Sequence, residues 1–265
     1  MTELDRRDYV QSIERALSVV NAFADKGPLL SLGSLATSTG LSKPTVRRIL
    51  LTLQQLGYVR AEGRAYALTP RVLALGYAYL SSLNLPALAQ PVMEQLSEEL
   101  GEGTSLATLD ETEVVYVNRV QRHRITSINL AVGTRLPAHA TSMGHVLLAD
   151  LSPQALDRYF AAAQLHALTE RTLTSRSALA ERLDLVRARG WDAVDQELEI
   201  GRRSAAAPVR DAGGKVVAAL SLSVGTFDRS LEDVIDTCVP ALVAAAGKIS
   251  VALGDGGYAM HGARQ

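Results

Sequence analysis

The stretch LATSTGLSKPTVRRIL, residues 35–50, decides how the N-terminal part of the chain folds. Gly40 interrupts it, Ser42 follows as a helix cap, and a second apolar run begins at Val46. A helix-turn-helix needs a small residue where its helices touch. It needs a glycine able to take positive φ in the turn, and a branched apolar anchor in the second helix. Counting Leu32 as the first position, Ala36 is fifth, Gly40 ninth and Val46 fifteenth, with Leu35, Leu41 and Ile49 at the other apolar places. Once Val46, Ile49, Leu50 and Leu53 turn inward, Lys43, Thr45, Arg47 and Arg48 are left outward or at the margins. No acid lies among them. A helix of this kind enters the major groove with its N-terminal residues toward base edges and phosphates. Free N–H groups near Ser42 add a phosphate site. Ser42, Lys43, Thr45, Arg47 and Arg48 are therefore candidate DNA contacts, with double-stranded DNA the expected partner.

The flanks agree. Ile13, Ala16, Leu17, Val20 and Phe23 recur at helical spacing over Gln11–Ala24, and Gly27-Pro28 stops that helix. Ser31 caps a short helix before the turn. Gly57 ends the third helix, and YVRAEGRAYAL (58–68) reads as two short strands around Glu62-Gly63. This hairpin is a wing that offers Arg60 and Arg64 to the DNA backbone. The charge is distributed to match. Residues 1–80 carry ten Lys and Arg against six Asp and Glu, and the remainder 17 against 22. A basic first quarter on an acidic body suits a polyanion-binding module joined to something else.

Pro70 to about Leu83 reads as a linker helix with Val72, Leu75, Tyr79 and Leu83 on one face, and Pro86 restarts the chain. The expected organisation is a DNA-binding unit over 1–69, a linker helix over 70–85, a second domain over 86–253 and a mobile tail over 254–265. In the second domain, TSLATLD, EVVYVNRV and RITSINLAV are strand-like. SAAAPVRDAGGKVVAALSLSV is a hairpin around Asp211–Gly214. Helices are expected at 87–100, 140–149, 153–161 and 177–189, and again from the Ser230 cap to about Leu253, with a kink at Pro240. The fold class is α+β.

The acidic body suggests a cavity for a small molecule. In HATSMG, helix N–H groups and the hydroxyls of Thr141 and Ser142 suit an anion. Ser221 and Ser223 share one strand face, Ser204 lies on the partner strand, and Asp195 precedes it. Catalytic patterns are missing: there is no G-x-S-x-G, phosphate-cradling loop or dinucleotide fingerprint. The five histidines show no metal-ligand spacing, so no cofactor and no metal are expected. The single Cys238 suits a reducing compartment. The charged N-terminus and the broken apolar runs point to a cytoplasmic chain without a membrane span. Three readings stay open on the residues alone: a ligand-responsive DNA-binding regulator, an enzyme of the second domain with an accessory DNA module, and an architectural DNA binder.

YVQSIERALSVVNAF, the 35–59 segment and YALTPRVLALGYAYL resemble the N-terminal half of the IclR family of bacterial transcription regulators. LPAHATSMGHVLLA and SAAAPVRDAGGKVVAALSLSV resemble its effector-binding half. The resemblance spans roughly residues 9–253. It implies a winged helix-turn-helix, a linker helix and a GAF-like α/β effector domain, in homodimers that often pair as dimers of dimers. It further implies an effector site at Ser142, Met143, Asp195, Ser221 and Ser223. The position of Ser204 is often cysteine in the family. RLPAHATSMG resembles the subgroup governing protocatechuate and hydroxybenzoate breakdown, which implies an aromatic acid or keto-diacid effector. A carboxylate needs a cationic or N–H partner, and Arg119, Arg135 and His139 are the candidates.

Overall fold

The computed structural model describes residues 9–75, 85–121 and 130–261, with the backbone alone at 25 and 255–261. It divides into two compact units, 1–82 and 83–265.

In the first unit, α1 (Gln11–Lys26), α2 (Leu32–Thr39) and α3 (Lys43–Gln55) pack with a three-stranded sheet. The sheet order is β1 (Leu30–Ser31), β3 (Ala65–Leu68), β2 (Val59–Glu62), all antiparallel. The expected hairpin is present, and a two-residue strand before α2 joins its edge. Ser31 Oγ accepts from Ser34 N (3.1 Å) and Ser42 Oγ from Thr45 N (3.4 Å), so both predicted caps form. Gly40 takes φ +67°, where a side chain would be strained. Val19, Phe23, Leu30, Leu35, Val46, Leu50 and Val59 make the core. The α1 pattern needs correction: Val19, Ala22 and Phe23 are buried, while Val10, Ile13 and Leu17 form an exposed apolar stripe. The expected linker begins as a 3-10 turn at Pro70–Val72 and is helical at 73–75; the rest of it lies outside the described residues.

The second unit is built on a six-stranded antiparallel sheet, ordered β6 (Arg135–Pro137), β5 (Glu113–Val120), β4 (Gly103–Asp110), β9 (Val216–Gly225), β8 (Arg202–Arg210), β7 (Asp192–Asp195). Most of the sequence expected as a third strand, 124–132, lies outside the described residues. Register fixes the two faces. Ser105 pairs with Ser221, which pairs with Ala206. One step along, Ala107 pairs with Ala219; one step back, Ser223 pairs with Ser204. One face therefore runs from serines to alanines. The small alanines let α5 (Ser142–Ala149) lie close over β8 and β9, beside α7 (Arg176–Arg189). Gly144 in α5 is obligatory, because a Cβ there would meet Ala138 O at 2.0 Å. The intervening leucines, Leu106, Leu220 and Leu222, fall on the other face by alternation. There α4 (Leu85–Leu100) meets β4 and β5, and α8 (Val239–His261) meets β8. Helix α6 (Pro153–Ala162) follows α5.

The closing helix differs from expectation at both ends. Ser230 caps a turn at Leu231–Asp233 that widens into π-helix at Val234–Cys238. Pro240 has no N–H to give Asp236 and its ring crowds that carbonyl, which places the widening there. The helix then runs on to His261 instead of stopping near Leu253. Extending a formed helix adds a hydrogen bond per residue without a new nucleus. Leu231–Gly254 is long and apolar enough to cross a membrane. Its Val234, Cys238, Leu242, Ala246 and Ile249 are buried in the domain.

Candidate functional site

On α3, Lys43, Arg47 and Arg48 are exposed and make no ion pair among the described residues. Val46 and Leu50, both fully buried, fix the opposite face. Ser42 and Thr45 share a hydroxyl hydrogen bond (2.9 Å) that orders the N-terminal turn, with the open amides beside it. In the wing, Arg60 pairs with Glu62 on the same strand, which offsets part of its charge. Arg64, at the hairpin turn, is exposed without an ion pair among the described residues. Cationic side chains thus sit on the recognition helix and the wing, the two elements that meet DNA in this fold.

The second unit holds a cavity of about 510 Å³ against the serine end of its sheet. Ser105, Ser204, Ser221 and Ser223 form its floor, and Ser142 and Met143 enter from the first turn of α5. Ser142 Oγ shares a hydrogen bond with Ser204 Oγ (2.9 Å), tying helix to sheet. Thr141 Oγ1 accepts from Gly144 N (3.0 Å), so this hydroxyl serves as the helix cap. Arg119 projects from β5, in register with Ser105. Among the described residues its Nε and Nη1 are buried without hydrogen-bond partners, and burial lowers its proton affinity, with Arg202 adding to the effect. Beside it the Tyr116 phenol is pushed up to about 12 by burial. Glu102, Glu197, Glu199 and Asp228 bring negative charge to the wall, and Arg202 and Arg203 positive charge.

Three expected effector residues do not line this cavity. Arg135 lies on edge strand β6, paired with Glu113 (2.7 Å) and Asp110 (2.8 Å), which raise its proton affinity. His139 is buried, with Nε2 donating to His166 O (3.0 Å), and burial lowers its proton affinity. Asp195 is taken up by Arg171 and by Arg203 Nε (2.7 Å). Arg203 Nη1 also donates to Thr226 O and Arg229 O, so this arginine staples the loops around the cavity. Sequence reasoning missed Ser105, Tyr116, Glu197 and Arg202. The alternation of β4 and β5 placed Ser105 and Tyr116 on a definite face, but which face awaited the pairing of β4 with β9.

A charged network supports the cavity from behind. His145 on α5 is fully buried. Its Nε2 donates to His139 O (2.7 Å), and its Nδ1 shares a hydrogen bond with Asp192 Oδ2 (2.6 Å). Asp192 Oδ1 accepts from Arg182 Nη1 (3.2 Å) and pairs with Arg189. Arg189 also lies 4.1 Å over the Trp191 ring. Arg182 continues to Glu197 Oε1 (3.5 Å) on the cavity wall. Gln196 holds φ +63°, a costly backbone for a residue with a side chain. Thr169 Oγ1 donates to Gln196 O (2.7 Å), Thr172 Oγ1 to Glu197 O (2.6 Å), and Gly201 N to Gln196 Oε1 (2.9 Å), which hold the turn in place.

DNA reading and small-molecule sensing are thus divided between two units, the plan of an effector-responsive transcription regulator. Residues 12–63 match the IclR helix-turn-helix domain, and residues 77–251 match the bacterial transcriptional regulator IclR C-terminal domain. The chain belongs to the IclR family of bacterial transcription regulators. It is 42% identical over 241 residues to the Pca regulon regulatory protein of Pseudomonas putida, covering 90% of this chain and 82% of that protein. A transcriptional regulator of Rhodococcus sp. RHA1 has a structure with TM-score 0.82 and 47% identity, covering 92% and 98% of the two chains. An IclR homologue of Microbacterium hydrocarbonoxydans complexed with 4-hydroxybenzoate gives TM-score 0.81 at 26% identity, covering 91% and 98%. These relatives are regulators, and the chain is read with them as a regulator and not as an enzyme.

Proposed function

We propose that this regulator binds a small carboxylate, an aromatic acid or its keto-diacid product, and controls genes for aromatic-acid breakdown in the cytoplasm. Arg119 carries the reading: a guanidinium whose Nε and Nη1 are buried without partners among the described residues, in a hydroxyl-lined cavity, suits a carboxylate. Ser142, Ser204, Ser221 and Ser223 supply further hydrogen bonds, and Met143 an apolar contact. The relative named for a Pca regulon and the homologue holding 4-hydroxybenzoate support the pathway. Residues 1–69 bind the operator through Ser42, Lys43, Thr45, Arg47, Arg48, Arg60 and Arg64. Residues 70–85 link this unit to an effector domain over 86–253.

The protein acts as a homodimer through its first 85 residues, and two dimers pair on longer operators. The exposed stripe Val10, Ile13 and Leu17 on α1 supports this, with Leu75 of the linker. The test combines calorimetry over aromatic acids and ring-cleavage diacids with gel shifts on operator DNA. Binding without turnover, together with altered operator affinity, is the expected result. No binding across the panel refutes the effector class.

A further inference from the structure

The loop between β7 and β8 turns an acid into the cavity. Glu197 is 3% exposed and lines the wall. Its Oε1 lies 3.5 Å from Arg182 Nη2, long for a hydrogen bond. Its Oε2 is buried with no hydrogen-bond partner among the described residues. Four charged neighbours bear on it: Arg182 on α7, His145 on α5, and Asp192 and Asp195 on β7. Burial raises the carboxyl's proton affinity; His145 and Arg182 oppose this, and the two aspartates add to it. The strained turn at Gln196 and the threonine hydrogen bonds commit the loop to this placement.

We propose that Glu197 reads a hydroxyl of the effector: Oε2 accepts that O–H on the cavity wall while Arg119 holds the carboxylate from β5. The inference rests on the carboxylate reading above and narrows it to a hydroxy acid. Glu197 Oε2 and the Arg119 N–H groups enter from well-separated places, since β4, β9 and β8 lie between β5 and β7, whose following loop carries Glu197. A ligand with an anion at one end and a donor at the other satisfies both. A diacid instead brings a second anion toward Glu197, with Glu102, Glu199 and Asp228 on the same wall.

The test is calorimetry on the full chain and on Glu197→Gln. The probes are benzoate, 3-hydroxybenzoate, 4-hydroxybenzoate and the methyl ether of the tighter hydroxy isomer. The wild type is expected to prefer one hydroxybenzoate over benzoate and the ether by about tenfold or more, the size of a hydrogen bond to a charged group. Glu197→Gln is expected to shrink that preference to about threefold or less, with benzoate affinity held within about twofold. An undiminished preference in the variant overturns the role of Glu197 and leaves the carboxylate reading standing. So does equal binding of benzoate and both hydroxybenzoates by the wild type. Failure of every probe to bind the wild type overturns both. Should the variant not fold, the near-UV band of the bound hydroxybenzoate decides. A red shift marks an O–H donating to a carboxylate, and an unshifted band overturns the assignment.

Discussion

Arg119 and Arg135 are the same residue type on neighbouring strands, and their surroundings part them. Arg135 has two carboxylates within 2.8 Å on the surface; Arg119 has Nε and Nη1 buried without a hydrogen-bond partner among the described residues. Arg119→Gln is expected to weaken carboxylate binding by about 1.5–3 kcal/mol, the range for a hydrogen bond to a charged group. Operator affinity without ligand should hold. Arg135→Ala should leave ligand affinity unchanged in the same calorimetry, and a matched loss in both variants would refute the assignment of Arg119. His139 carries a pH prediction. Its proton affinity is lower folded than unfolded, so the unfolded chain binds more protons just below the ordinary histidine value of about 6.5. Stability is then complete above that value and falls as pH drops through it. His139→Gln is expected to flatten that acid-side fall in the melting temperature.

At the level of elements, close approach and register set what a substitution does. Gly144→Ala would push a methyl into the Ala138 carbonyl. It is expected to cost about 1–3 kcal/mol by overpacking, read from chemical denaturation, and to displace Ser142 and Met143 together. On α3, Arg47→Ala or Arg48→Ala should cost about 1–3 kcal/mol on the operator where the side chain reads a base. Arg64→Ala should weaken operator and random DNA alike, and gel shifts on both DNAs separate the two outcomes. What the sequence made legible follows the same division. Ala36, Gly40 and Val46 lie within one local motif, so their spacing alone placed them. The caps at Ser31, Ser42 and Ser230 were equally local. The cavity was only half legible, because its floor is assembled by pairing distant strands. Ser221 and Ser223 were seen as one face, but Ser105 joins them only through the β4–β9 register. Asp195 looked available until Arg171 and Arg203 were brought to it from elsewhere in the chain.

For the molecule as a whole, the separation of charge between a basic DNA-binding unit and an acidic effector unit makes operator binding salt-dependent. Taking one cation away from the phosphate backbone should reduce the slope of log affinity against log salt by about 0.9. Arg64→Ala is expected to show this without changing ligand affinity. Dimerisation is expected through the α1 stripe. Ile13→Glu with Leu17→Glu should give a monomer by light scattering, and operator affinity should collapse. Two recognition helices on one face of the duplex need half-sites about 34–36 Å apart. A double variant that stays dimeric refutes the stripe as the contact.

Trp191 is the chain's only tryptophan. It sits under Arg189, one residue before the aspartate that ties α5 to α7. Excited at the red edge of protein absorption, the chain therefore emits from a single place, and the DNA-binding unit is optically dark. Any rearrangement of the Arg189–Asp192 pair changes the charge beside that indole and so its emission. The protein carries its own label for following effector titrations and stopped-flow kinetics in the presence of unlabelled operator.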